Sequence, residues 1–180
     1  MMVKLLPLGV KVLKIVHLVS VIAWVGAAIV MNAIRHLVVV DNGAGMRWMA
    51  EFLEAVDMRI LVPGAVLCLF TGLLYSVLTH WGFFKHRWIA VKWVLTIAMM
   101  ALGTFFMGPL IKAIVTIGRA LAQAAPQAHD LSGAYWHNVA LSARWGLLQL
   151  CLLAFTIVIS VLKPWKGPRK GADAKTTKGK

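Results

Sequence analysis

Ile60-Leu-Val-Pro-Gly-Ala-Val-Leu-Cys-Leu-Phe-Thr-Gly-Leu-Leu-Tyr-Ser-Val-Leu78 runs for nineteen residues without a charge. As a helix this stretch rises about 28 Å, close to the roughly 30 Å of a bilayer's hydrocarbon core. It is too long for a strand and too apolar for a surface helix, so it reads as a membrane span. Three further stretches follow the same logic: residues 12–34, 88–111 and 140–162, the last taking in Arg144 before a charge-free run that stops at Lys163-Pro164. The expected fold class is all-α, an integral membrane four-helix bundle over residues 1–162, followed by a tail over 163–180.

The composition agrees. Of 180 residues 61% are hydrophobic, the mean hydropathy is +0.81 and the net charge is +13. An ordinary soluble domain is about 45–50% apolar, and a chain this small cannot hide the excess in one core. A pI near 10.4 would suit a nucleic-acid binder, but here the basic residues fall between apolar runs instead of interleaving with polar and aromatic ones. No nucleic-acid partner is expected, nor disorder of the whole chain, nor a disulfide scaffold. Lys4, Lys11 and Lys14 precede an apolar stretch as in a secretory signal, yet that stretch exceeds the usual apolar region of about 7–15 residues. It reads as a retained first helix.

Orientation follows from Lys and Arg in the flanks. With both termini on one side, that side carries twelve such residues against six, and seven of the twelve lie in the tail. Both termini are therefore expected in the cytoplasm, and the protein in the bacterial inner membrane. The basic tail is expected to be disordered and to rest on anionic lipid headgroups. Residues 44–59 place Trp48, Phe52, Ala55 and Val56 on one stripe and Arg47, Glu51, Glu54 and Asp57 away from it, which predicts a short interfacial helix before the second span. Residues 112–138 begin as a continuation of the third span and turn into a solvated loop around Pro126.

Small residues let helices approach in lipid. Gly64, Cys68, Gly72 and Ser76, spaced by four, predict a groove along the second span, an intrachain seam with a homo-oligomer contact as the alternative. Cys68 and Cys151 read as small packing residues. Trp24, Trp81, Trp88, Trp93, Trp145 and Trp165 mostly mark span ends, as interfacial anchors do.

Ionisable groups inside a bilayer are costly and call for a partner or a function. His17 lies about 7.5 Å into the first span and Lys92 about 6 Å into the third, both from the cytoplasmic side. Ser20 and Trp24 share the face of His17, and Tyr75, Ser76, Thr79 and His80 reach the same level from the second span, as Thr156 and Ser160 do from the fourth. These residues predict a polar pocket for an anionic or planar ligand, such as a porphyrin with His17 as axial ligand to iron. The plainer alternative is that Lys92 snorkels to the headgroups and His17 bonds a neighbouring oxygen. On the opposite side Arg35-His36, His129 and His137 put three imidazoles on one rim, either a site for copper, zinc or haem or ordinary surface histidines, since their spacing matches no compact metal motif. Candidate metal ligands are thus His17, His36 and His137. The acids Glu51, Glu54 and Asp57 read as a solvated helix face, so no carboxylate proton relay is expected.

Three segments carry a resemblance: Lys14-Ile-Val-His17-Leu-Val-Ser-Val-Ile-Ala-Trp24-Val-Gly26, Trp81-Gly-Phe-Phe-Lys-His-Arg-Trp88-Ile-Ala-Val-Lys92 and Ser160-Val-Leu-Lys163-Pro164-Trp165. They resemble a group of small bacterial membrane proteins of about four helices and, more distantly, the membrane-bound, haem-associated protoporphyrinogen oxidase family. His17 with Trp24, Arg35-His36, Lys92 and Lys163-Pro164 are similar to that family's pattern. The first helix also resembles copper-resistance D-type membrane domains. The oxidase resemblance implies that His17 and Lys92 handle haem or porphyrin, with electrons passed to a membrane acceptor such as quinone. The expected function is binding of haem b or a porphyrin for redox chemistry, with Ser20, Trp24 and Tyr75 beside His17 and Lys92. Alternatives are copper or small-solute handling at the outer histidines and a non-catalytic membrane subunit.

Overall fold

The computed structural model describes residues 7–78, 87–123 and 129–162, and among these only residues 38–42 lie outside a helix. Helix α1 spans Pro7–Leu37. The second long helix comprises α2 (Gly43–Val56), a π-turn (Asp57–Leu61) and α3 (Val62–Leu78). The third comprises α4 (Arg87–Leu102), a π-turn (Gly103–Met107) and α5 (Gly108–Gln123). Helix α6 covers His129–Leu162. All four are long and apolar enough to cross a membrane. The tail from Lys163 and the residues Thr79 and His80 lie outside the described residues.

A proline explains each π-turn. Pro63 and Pro109 stand two residues beyond the ends of the two π-turns. A proline ring inside an α-helix meets the carbonyl four residues back and brings no N–H to it. Widening the preceding turn relieves that conflict. Accordingly the Val62 N–H donates to the Asp57 carbonyl and the Gly108 N–H to the Gly103 carbonyl, the longer bond of a π-helix.

The bundle has two halves. In one, α2 packs along α5, with α6 and the end of α1 completing a core of Met31, Met49, Leu53, Ile114 and Tyr135. The Tyr135 hydroxyl donates to the Met46 carbonyl at 2.8 Å. Asn42 caps α2, its Oδ1 accepting from the Gly45 N–H at 2.7 Å. In the other half α3 packs on α1 and α4 on α6, around Trp24, Ala28, Ala65, Cys68, Met99 and Leu153. There α3 and α4 are not packed along each other, so the second and third long helices meet closely at one end and diverge at the other.

Exposed apolar side chains extend from Leu8 to Leu37 on α1 and from Trp48 to Val77 on the second helix. Their densest stretches, Val12–Val30 and Met58–Val77, rise about 27 and 28 Å, close to the thickness of a hydrocarbon core. Asp41, Glu51, Glu54 and Asp57 all precede that band in the second long helix or the segment leading into it. There Glu51 accepts from Arg47 at 3.0 Å and from Arg119 at 3.1 Å, and Arg119 lies 3.6 Å from Glu54. Hydrogen bonds from Arg47 and Arg119 hold the Glu51 carboxyl below its usual range. Whatever this exposed cluster adds to α2–α5 pairing is therefore present at neutral pH and lost as pH falls through that lowered value.

Two expectations change. The buried stripe of α2 is Met46, Met49, Ala50, Leu53 and Val56, facing α5, whereas Trp48 and Phe52 stack on the exposed face at 5.5 Å. The segment expected as a short interfacial helix leading into the second span is the first part of a continuous 36-residue helix. The predicted solvated loop over 112–138 is helical to Gln123 and again from His129; Pro126 lies outside the described residues.

Close α2–α5 packing depends on two glycines. Gly118 lies against Met46 O, 3.2 Å from where its Cβ would be, and a Cβ at Gly43 would overlap the Leu121 carbonyl. Gly43→Ala is expected to lower stability by about 1–3 kcal/mol, read as a fall in the detergent melting temperature. A Gly26→Ala variant, whose Cβ meets nothing within 4 Å, serves as the control and should melt no lower than the wild type.

Candidate functional site

Where α3 and α4 diverge, this half of the bundle forms a cavity of about 550 Å³ reached by all four long helices. Its wall is mostly apolar, with His17, Lys14 and Trp24 from α1, Tyr75 and Ser76 from α3, Lys92 and Thr96 from α4 and Thr156 and Ser160 from α6. The shared depth of His17 and Lys92 thus becomes a shared pocket. Ser20 is not on its lining: it is buried, and its hydroxyl donates to the Val16 carbonyl at 2.8 Å.

The His17 ring is oriented by α3. Its Nδ1 lies 2.8 Å from Thr71 Oγ1. Thr71 has a single hydroxyl proton, and that hydroxyl donates to the Leu67 carbonyl at 2.6 Å, with Cys68 O at 3.1 Å. Its oxygen therefore accepts from His17, which places the ring proton on Nδ1 and the lone pair on Nε2. Gly72 makes room for the ring, a Cβ there standing 3.7 Å from His17 Cε1. The small-residue groove is an intrachain seam: Gly64 lies against the α1 backbone, 3.0 Å from Trp24 N, and Gly72 lies against His17. Thr71 was not singled out by the sequence. The available signal was a hydroxyl beside the groove, inside an uncharged span.

Trp24 corrects the assignment of tryptophans to anchors. It is 2% exposed, and its indole N–H has no hydrogen-bond partner in the protein. It lines the pocket two helical turns from His17.

A second polar group lies at the boundary between the two halves. Asn32 and Arg35 from α1, Asp57 from the first π-turn and Gln149 from α6 are all buried, and with Gly103 and Gly146 they line a cavity of about 20 Å³. Asp57 was expected on a solvated face and Arg35 on a histidine rim; both are inside the bundle, 8% and 6% exposed. The reason is phase. Arg35 continues the buried face of Ala27, Ala28, Met31 and Asn32, and Asp57 follows Leu53 by one turn where the helix widens. An acid within the bundle is thus present after all.

His36 and His137 are exposed, His36 Nδ1 bonding the Asn32 carbonyl at 2.8 Å. The backbone of His129 opens α6, and its side chain lies outside the described residues. Among the described residues no three His, Cys, Asp or Glu side chains lie together as a metal site. Cys68 and Cys151 are both free thiols, one buried and one exposed. No protein-family model, curated protein or solved structure matches the chain.

Proposed function

We propose that this chain is a multi-pass protein of the bacterial inner membrane that binds haem b or a related porphyrin in the His17/Lys92 pocket and serves redox chemistry there. The observation that carries the reading is the His17–Thr71 hydrogen bond. It fixes the tautomer an iron ligand needs, with the remaining ring N–H held by a second residue. The rest of the pocket suits such a group. Its volume falls within the range of about 300–1,000 Å³ typical of small-molecule sites, and mostly apolar walls with a few placed polar groups are the usual chemistry. The unpartnered Trp24 N–H is a donor for a ligand oxygen, and Lys14 and Lys92 supply positive charge for a porphyrin's acidic substituents.

When bound, haem supplies one-electron chemistry. His17 would hold the iron through Nε2, Thr71 would orient the imidazole, and Lys92 would pair with the porphyrin's acidic groups. Transfer of electrons to a membrane acceptor such as quinone, and the orientation with both termini in the cytoplasm, belong to the same proposal. The similarity of His17, Trp24 and Lys92 to the haem-associated oxidase pattern supports it. Arg35, another residue of that pattern, lies on a different cavity.

The test is the absorbance of the detergent-purified protein from haem-replete cells, which should show a Soret band. Colourless protein that also fails to develop the band with added haemin overturns haem binding. Thr71→Val removes the acceptor that fixes the tautomer. It should weaken haemin binding by about 10–100-fold, measured by absorbance titration, with little loss of fold.

A further inference from the structure

The buried polar layer at the π-turns shares no lining residue with the larger pocket. Three of its atoms have no protein partner: Asn32 Oδ1, Arg35 Nε and Arg35 Nη2. Both residues are more than nine-tenths buried, at 7% and 6% exposure. Buried polar groups without partners are rare and each calls for an explanation. Both residues line a common cavity of about 20 Å³, which exceeds the roughly 10–15 Å³ a single water requires by this measure.

The chemistry of the wall selects the occupant. The Arg35 guanidinium repels a metal cation, and the Asp57 carboxylate and Asn32 Oδ1 repel an anion. A ligand here must accept from two N–H groups and donate to an oxygen, within a space of one heavy atom. We propose that Asn32, Arg35, Asp57 and Gln149 form a binding site for one internal water, which accepts from Arg35 and donates to Asn32 and Asp57. An ordered water of this kind makes about 2–4 hydrogen bonds and is costly to remove.

Room for it comes from Gly103 and Gly146. A Cβ on Gly146 would stand 2.8 Å from Asn32 Oδ1 and 3.3 Å from Arg35 Nη1. The water joins α1, the first π-turn and α6 at the one level where both interrupted helices lose their regular α-helical bonding. It is a latch between the two halves of the bundle.

The experiment uses the full-length protein in micelles, with arginine side chains labelled with heavy nitrogen and the Arg35 Nε–H signal assigned by its loss in Arg35→Lys. The expected result is an Nε–H resonance with a cross-peak to a long-lived water. In Gly146→Ala the cross-peak should vanish and the melting temperature should fall by roughly 2–12 °C, the cost of buried donors left unsatisfied. Gly133→Ala, where a Cβ meets nothing within 4 Å, should leave both unchanged. Lack of the water cross-peak in the wild type overturns the proposal. So does a Gly146→Ala protein that melts at or above the wild type, which is the behaviour of a dry void filled by a methyl group.

Discussion

Replacing His17 with alanine is expected to abolish the Soret band that haem in the proposed site would give, and its recovery with haemin. The expectation follows from the geometry: among the described residues His17 is the one imidazole on the pocket lining, and its Nδ1–H is committed to Thr71. Deleting the ring would remove the proposed iron ligand outright, so the loss should exceed that of Thr71→Val. Added imidazole separates ligation from a structural role. If the ring acts as ligand, free imidazole in the vacated space restores part of the band; if His17 only braces α1 against α3, it does not. A Soret band of unchanged intensity in the variant would falsify the assignment. Lys92→Met should weaken binding less, because it removes a charge partner and not the bond to iron.

The second large effect concerns stability. Asp57→Ala leaves the Arg35 guanidinium buried with no carboxylate on its cavity. The two groups make no direct ion pair, but Asp57 is the carboxylate that balances the buried Arg35 charge on this cavity; leaving a buried charge uncompensated costs about 3–5 kcal/mol, and for a chain of this size each kcal/mol shifts the melting temperature by about 2–4 °C. A fall of roughly 6–20 °C is expected by thermal denaturation in detergent. The double variant Arg35→Met/Asp57→Leu should recover most of it, since apolar replacement of both partners often costs little. If the single variant melts with the wild type, or the double variant melts lower than the single, the two residues are not coupled as argued.

The sequence made some features legible and hid others for identifiable physical reasons. Span positions follow from hydropathy and a fixed rise per residue, so the common depth of His17 and Lys92 needed only arithmetic on helix starts. The groove of Gly64 and Gly72 was visible because small residues at a spacing of four stay on one face. What that spacing did not reveal is which helix fills the groove; in the structure it is α1, with its Ser20 carbonyl 3.3 Å from a Cβ on Gly64 and His17 Cε1 3.7 Å from a Cβ on Gly72. Asp57 was misplaced because its chemical type suggested solvent, and its neighbours Glu51 and Glu54 lie on a partly exposed face. Arg35 could have been found: it stands at spacings of three and four from Asn32 and Met31, on the buried face of α1. Within 112–138 the helix to Gln123 and again from His129 went unread because Pro126 drew the whole segment into a loop. In this bundle Gly118 is a contact point on α2.

A π-turn amounts to one residue inserted into an α-helix. Each residue advances a helix by about 100°, so everything beyond the insertion is rotated by that angle from where an unbroken helix would carry it. Thr71 and Gly72 face His17 only because Asp57–Leu61 contains its extra residue. The same count at Gly103–Met107 sets the face on which Lys92 meets the pocket relative to α5. Two homologous chains with the same spans and the same charges, differing by one deletion in each turn, would keep their hydropathy profiles and lose this constellation. For this fold, gaps of a single residue inside a span carry more information about the site than substitutions do.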